Sequence, residues 1–73
     1  MAQETIEVPL TGRIISVNVK PGDEVKEGDT LCILESMKME NPILAPVDGT
    51  VIQVEITAEQ VVKPGGVIAV IEY

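Results

Sequence analysis

Residues 35–40, Glu-Ser-Met-Lys-Met-Glu, place one amine between two thioethers and two carboxylates. Methionine side chains are flexible and polarizable, which suits adaptable contact with a partner surface. Lys38 is the only basic residue in such company. Arg13, Lys20, Lys26 and Lys63 stand beside glycine or proline or within charged loops, as ordinary solvated surface residues do. The chemistry open to Lys38 is therefore that of a presented amine, an exposed group on which another protein acts. Little else in the chain could react. There is no histidine and a single cysteine, so the usual material for a zinc site, a Ser-His or Cys-His nucleophile, or an internal disulfide is missing. Cys32, inside "TLCILE", reads as a small apolar packing residue.

The elements that must hold Lys38 are written as a repeat. With an offset of 37 residues, 8–35 aligns with 45–72 without a gap. Pro9 meets Pro46, Gly12 meets Gly49, Val17 meets Val54, Val25 meets Val62, Gly28 meets Gly65 and Glu35 meets Glu72. Residues 1–73 thus form one domain of two similar halves. In each half a Pro-x-x-Gly turn leads into alternation, with Ile15, Val17 and Val19, and then Ile52, Val54 and Ile56, expected on the inner face. Gly-rich turns, "KPGDEVKEGD" and "VVKPGG", precede the last apolar run of each half. The pattern predicts an all-β fold, a sandwich or barrel of short strands.

The segment "DTLCILESMKMEN" could by its own spacing be a helix, since Leu31, Leu34 and Met37 fall three apart. The repeat decides against it. Its counterpart "GGVIAVIEY" opens with two glycines, is short, and is rich in β-branched residues. Strands over 30–36 and 39–44 leave Met37 and Lys38 as a two-residue turn, with Ser36 opposite Met39, Glu35 opposite Glu40, Leu34 opposite Asn41 and Ile33 opposite Pro42. Two local rules are then broken at one place. A two-residue hairpin turn wants positive φ, at a cost of roughly 1 kcal/mol or more for residues such as Met and Lys. Glu35 facing Glu40 adds like-charge repulsion. Such a double departure marks a site, not a packing feature. The hairpin also lies midway between the halves, so a pseudo-twofold relation would put its tip at one end of the domain and the termini at the other.

Composition narrows the function further. Phe and Trp are absent and Tyr occurs once, so the core has to come from Val, Ile, Leu and Ala. A chain of 73 residues leaves little room for a catalytic cleft. Twelve acidic against five basic residues give −7, a field that repels phosphate backbones and anionic lipid, so neither nucleic acid nor membrane insertion is expected. No apolar run approaches a spanning length, and "MAQETIE" is acidic where a secretory signal would be basic and then apolar. A cytoplasmic setting is expected.

"ESMKMEN" resembles the biotin-attachment motif, commonly Glu-Ala-Met-Lys-Met, of the biotinyl domains of biotin-dependent carboxylases and decarboxylases. "KPGDEVKEGDTL" before it and "APVDGTV" after it are similar to the same family, so the resemblance spans residues 8 to 72. Ser36 replaces the commoner alanine with a residue of similar size, and the protruding insertion of some bacterial acetyl-CoA carboxylase carriers is absent. The resemblance implies a flattened β-barrel of two four-stranded sheets with biotin joined by an amide to Lys38 at the hairpin tip. It implies three partners: a biotin protein ligase, a biotin carboxylase that loads a bicarbonate-derived carboxyl group using ATP, and a carboxyltransferase that moves it. Glu35, Ser36, Met37, Met39 and Glu40 would form the recognition surface around the lysine, and the domain itself would catalyse nothing and hold no metal. An exposed lysine is almost wholly protonated at neutral pH, so activation has to come from the ligase while the domain supplies presentation.

Two other readings compete. A lipoyl domain shares the fold and the hairpin lysine but usually carries Asp-Lys-Ala at the tip, where this chain has Met-Lys-Met. An unmodified structural β-module of similar fold leaves the Met-Lys-Met tip without a purpose.

Overall fold

A computed structural model describes residues 1–73 as eight strands and no helix. These are β1 (Gln3–Glu7), β2 (Gly12–Val17), β3 (Glu24–Val25), β4 (Thr30–Ser36), β5 (Met39–Leu44), β6 (Gly49–Val54), β7 (Val61–Val62) and β8 (Val67–Glu72). They form two four-stranded antiparallel sheets, ordered β1-β8-β6-β3 and β5-β4-β2-β7. Shifting each strand by the offset of the sequence repeat, forward for β1 and β3 and backward for β6 and β8, converts one order into the other. The match extends to register: Arg13 opposite Glu35 and Ile14 opposite Leu34 correspond to Thr50 opposite Glu72 and Val51 opposite Ile71. Each half lends its shortest strand to the sheet of the other, β7 pairing with β2 and β3 with β6. Neither half could close its sheet alone.

The core follows the same symmetry. Its fully buried side chains come in matched pairs, Ile14 with Val51, Leu31 with Ile68, Leu34 with Ile71 and Cys32 with Ala69. No polar or charged residue is buried, so nothing polar inside needs a partner. In β2 and β6 the alternation departs from expectation at matching places. The register of β2 on β4 shifts between Ile14 and Ser16, and that of β6 on β8 between Val51 and Gln53. Such a bulge adds one residue to a strand and reverses which side chains face inward beyond it. Ile14 and Val51, not Ile15 and Ile52, therefore enter the core; Ile52 is exposed. Val17, Val19 and Val54 still pack against the core and Ile56 joins it, as the alternation predicts.

Gly12 and Gly49 begin β2 and β6 because the neighbouring chain passes too close for a side chain. A Cβ on Gly12 would run into the carbonyl oxygen of Glu35, and one on Gly49 would come within 2.5 Å of that of Glu72. The first contact presses β2 against β4 directly below the Met37–Lys38 turn. Pro42 sits in β5, an edge strand, where a missing N–H is tolerated.

The molecule measures 36 × 18 × 16 Å. Ala2 and Tyr73 exchange two backbone hydrogen bonds of 2.8 and 2.9 Å, holding the termini side by side. From the hairpin, β4 traces back to Thr30 and β2 runs forward to the loop before β3. That loop bonds to Val51 through Gly22 and Asp23, next to Thr50, which faces Glu72. The termini thus lie at the end remote from the tip, as the pseudo-twofold relation requires. No helix is long and apolar enough to cross a membrane.

Candidate functional site

The β4–β5 hairpin has the register read from the sequence: Ser36 opposite Met39, Glu35 opposite Glu40, Leu34 opposite Asn41 and Ile33 opposite Pro42. Only Met37 and Lys38 connect the strands, with φ of 54° and 64°. Two consecutive left-handed residues match the right-handed twist of the flanking strands, the geometry that Asn-Gly adopts without strain. Met and Lys bear a cost of roughly 1 kcal/mol or more each in that region. Tertiary structure holds them there, since β4 is a central strand bonded on both sides.

Lys38 is exposed and makes no ion pair or side-chain hydrogen bond. Met37 is 91% exposed and Met39 66% exposed, so neither folds back into the core. Two thioether side chains of this size left in water flank the lysine with apolar surface that a partner can cover. Ser36 is half-buried at the last position of β4 and Glu40 is exposed near the start of β5.

Glu35 is held from the other side. The strands run β5-β4-β2, and Glu40, Glu35 and Arg13 stand in register across them. Arg13 Nη2 donates to Glu35 Oε1 at 3.3 Å, and Arg13 Nη1 lies 4.0 Å from Oε2 of Glu59. The guanidinium offsets the repulsion between the two facing acids. Below the turn, Asn41 Nδ2 donates to the carbonyls of Leu34 at 3.3 Å and Met39 at 3.2 Å, pinning the first turn of the hairpin to its base. Arg13, Asn41 and Glu59 were not legible as site residues from sequence. Arg13 in particular reads as plain surface until the β2–β4 register sets it opposite Glu35.

Away from this hairpin the chain offers little chemistry. Cys32 is fully buried, and burial pushes its thiol up from 9.0 to about 11, which suppresses the reactive thiolate. No group of three or more His, Cys, Asp or Glu is placed to hold a metal ion. An amide-linked group on Lys38 fits the site: the amine projects from the narrow end of the domain, away from both termini, and its attachment would displace no internal contact.

The comparisons with known proteins agree with this geometry. The family described as "Biotin-requiring enzyme" matches residues 4–71. The "Biotinylated protein TB7.3 homolog" of Mycobacterium leprae is 41% identical over 68 residues, covering 93% of this chain and 96% of that protein. The "Glutaconyl-CoA decarboxylase subunit gamma" of Acidaminococcus fermentans is 60% identical over 40 residues, 55% of this chain, and the match spans only 28% of that subunit. Among solved structures, the urea carboxylase of Kluyveromyces lactis superposes with a TM-score of 0.89 at 30% identity, covering 99% of this chain and 6% of the carboxylase. An eight-stranded domain with a repeat-related core, a strained Met-Lys turn and relatives of this kind belongs to the biotin-requiring enzyme family.

Proposed function

We propose that the chain is a biotin carboxyl carrier domain, with biotin joined through an amide to Lys38, serving a biotin-dependent carboxylase or decarboxylase. The observation that carries this reading is the pair of positive φ values at Met37 and Lys38. A two-residue turn demands left-handed backbone, and Met and Lys stand there at a cost that Asn-Gly would avoid, with Lys38 exposed and bound to nothing in the domain. The biotinylated relative that the chain covers almost from end to end supports the reading, as do the carboxylase and decarboxylase relatives.

The domain's own residues act by presentation. The Lys38 ammonium has to lose a proton before Nζ can form the amide, and no side chain of the domain is paired with it to take that proton. The activating groups accordingly belong to a biotin protein ligase. Met37 and Met39 supply apolar surface for that enzyme to cover, and Glu40 an unpaired charge beside the amine. Once attached, biotin supplies a ring that carries a carboxyl group between a biotin carboxylase and a carboxyltransferase. The domain contributes a two-residue hairpin tip, which places the tethered group at high effective concentration in each partner's site. It is a carrier and catalyses no step itself.

Co-expression with a biotin protein ligase, followed by intact mass measurement and a tryptic map, tests the assignment. Biotin is expected on Lys38 alone. Lys38→Gln should abolish labelling while changing stability by no more than about 0.5 kcal/mol, as befits an exposed residue. Biotin found on Lys20, Lys26 or Lys63 would refute the assignment.

A further inference from the structure

The lysine end and the terminal end of the domain are built on the same backbone pairings, so the side chains in which they differ separate what the site needs from what the fold needs. Glu35 at the lysine end and Glu72 at the terminal end match, as do their cross-strand neighbours Arg13 and Thr50. Thr50 carries no charge. The carboxylate on the far side of Arg13, that of Glu59, is matched at the terminal end by Gly22. Both ends fold to the same register, yet only the lysine end sets a cation between two carboxylates, at 3.3 and 4.0 Å. The fold does not require that arrangement.

The row Glu40, Glu35, Arg13 shows what it does. Directly opposed residues of neighbouring strands point to the same face of a sheet. Glu35 is therefore drawn toward Arg13 and away from Glu40, and the tip shows a partner one unpaired acid next to Lys38 instead of two repelling ones. The guanidinium meets Glu35 through one nitrogen at 3.3 Å and Glu59 through the other at 4.0 Å, which biases the Glu35 carboxylate toward β2. The turn does not depend on this pair, because the Met37–Lys38 connection is held by the β4–β5 ladder and by Asn41.

We propose that Arg13 is a positioning residue for the modification of Lys38: by tying down Glu35 and being itself braced by Glu59, it sets the charge pattern against which the biotin protein ligase docks. This rests on Lys38 being the attachment site. Because Arg13 acts on docking and not on the placement of the amine, its loss raises the KM of the ligase for this chain and leaves kcat in place.

The test uses the purified chain, a biotin protein ligase, ATP and biotin, with the initial rate measured against carrier concentration. Arg13→Thr copies the residue of the terminal end and should raise KM by about tenfold, equivalent to about 1.4 kcal/mol of binding, with kcat within twofold of the parent. The double variant Arg13→Thr, Thr50→Arg restores composition and net charge and moves the cation to a geometrically matched place opposite Glu72. It should keep the raised KM. Recovery of the parent KM in the double variant would show that overall charge is what matters, and would overturn the proposal. So would an unchanged KM in Arg13→Thr, or a fall in kcat alone. If the parent itself takes no biotin on Lys38, the attachment site is wrong and this role falls with it; if the parent is labelled and Arg13→Thr behaves identically, only the role of Arg13 falls.

Discussion

Gly22 and Glu59 stand at matching places in the two halves, and both adopt left-handed backbone, with φ of 99° and 73°. The turns they close are the same turn. Lys20 N–H donates to Asp23 Oδ2 at 3.0 Å, and Thr57 N–H donates to Gln60 Oε1 at 3.0 Å. The return bonds, from Asp23 N–H to the Lys20 carbonyl and from Gln60 N–H to that of Thr57, match as well. Glycine is the residue this conformation favours. A glutamate in its place costs on the order of 1 kcal/mol, and its carboxylate reaches the far side of Arg13.

That strain is measurable by comparing two substitutions. Glu59→Ala and Glu59→Gly both remove the carboxylate, but only glycine relieves the backbone. The glycine variant should be more stable than the alanine variant by about 1 kcal/mol, read from urea unfolding at neutral pH. Equal midpoints would mean that position 59 carries no conformational cost.

How much of this was legible in the sequence varies by residue. The four pairs of the hairpin nearest the turn were readable, because the repeat excluded a helix and a two-residue connection fixes register; the shift between Thr30 and Cys32 at its base was not. The inward face of β2 and β6 was not. The bulge shifts the alternation by one residue, and with apolar neighbours at 14 and 15 and at 51 and 52 the pattern fits either phase, so Ile15 and Ile52 passed for core residues while Ile14 and Val51 occupy it. Strand β1 escaped for another reason. Its counterpart in the repeat is β5, which follows the first half in sequence while β1 precedes it, and the two share only Ile6 with Ile43. The pairing of Arg13 with Glu35 became visible only when packing placed it, since cross-strand partners 22 residues apart have no local signature.

The burial of Cys32 makes stability depend on pH at the alkaline end. The folded thiol is pushed up to about 11 from 9.0, so the folded state keeps its proton after the unfolded chain has lost it. The contribution is complete below pH 9.0 and is lost as pH rises through about 11, by up to about 2–3 kcal/mol. To isolate the thiol, the parent is compared with Cys32→Ala, whose matching residue Ala69 is equally buried. The stability difference between the two proteins should narrow steadily from pH 9 upward. A constant difference would show that the folded thiol ionises as readily as the unfolded one.

The position of the lysine within the turn should matter as much as its presence. Combining Met37→Lys with Lys38→Met preserves composition and net charge, and leaves β4 and β5 untouched. Both turn residues have left-handed φ, 54° and 64°, so the exchange neither adds nor removes backbone strain, and stability should change by less than about 0.5 kcal/mol. The two side chains nevertheless leave the turn along different vectors, and the lysine would lose the methionine on its N-terminal side. A displacement of about 1 Å from productive geometry can cost on the order of 100-fold in rate. The exchanged protein should therefore show the parent's strand-rich circular dichroism spectrum and urea midpoint while taking up biotin about 100-fold more slowly. Labelling at the parental rate would mean that the ligase reads the local sequence of the segment and not the direction in which the hairpin offers its amine.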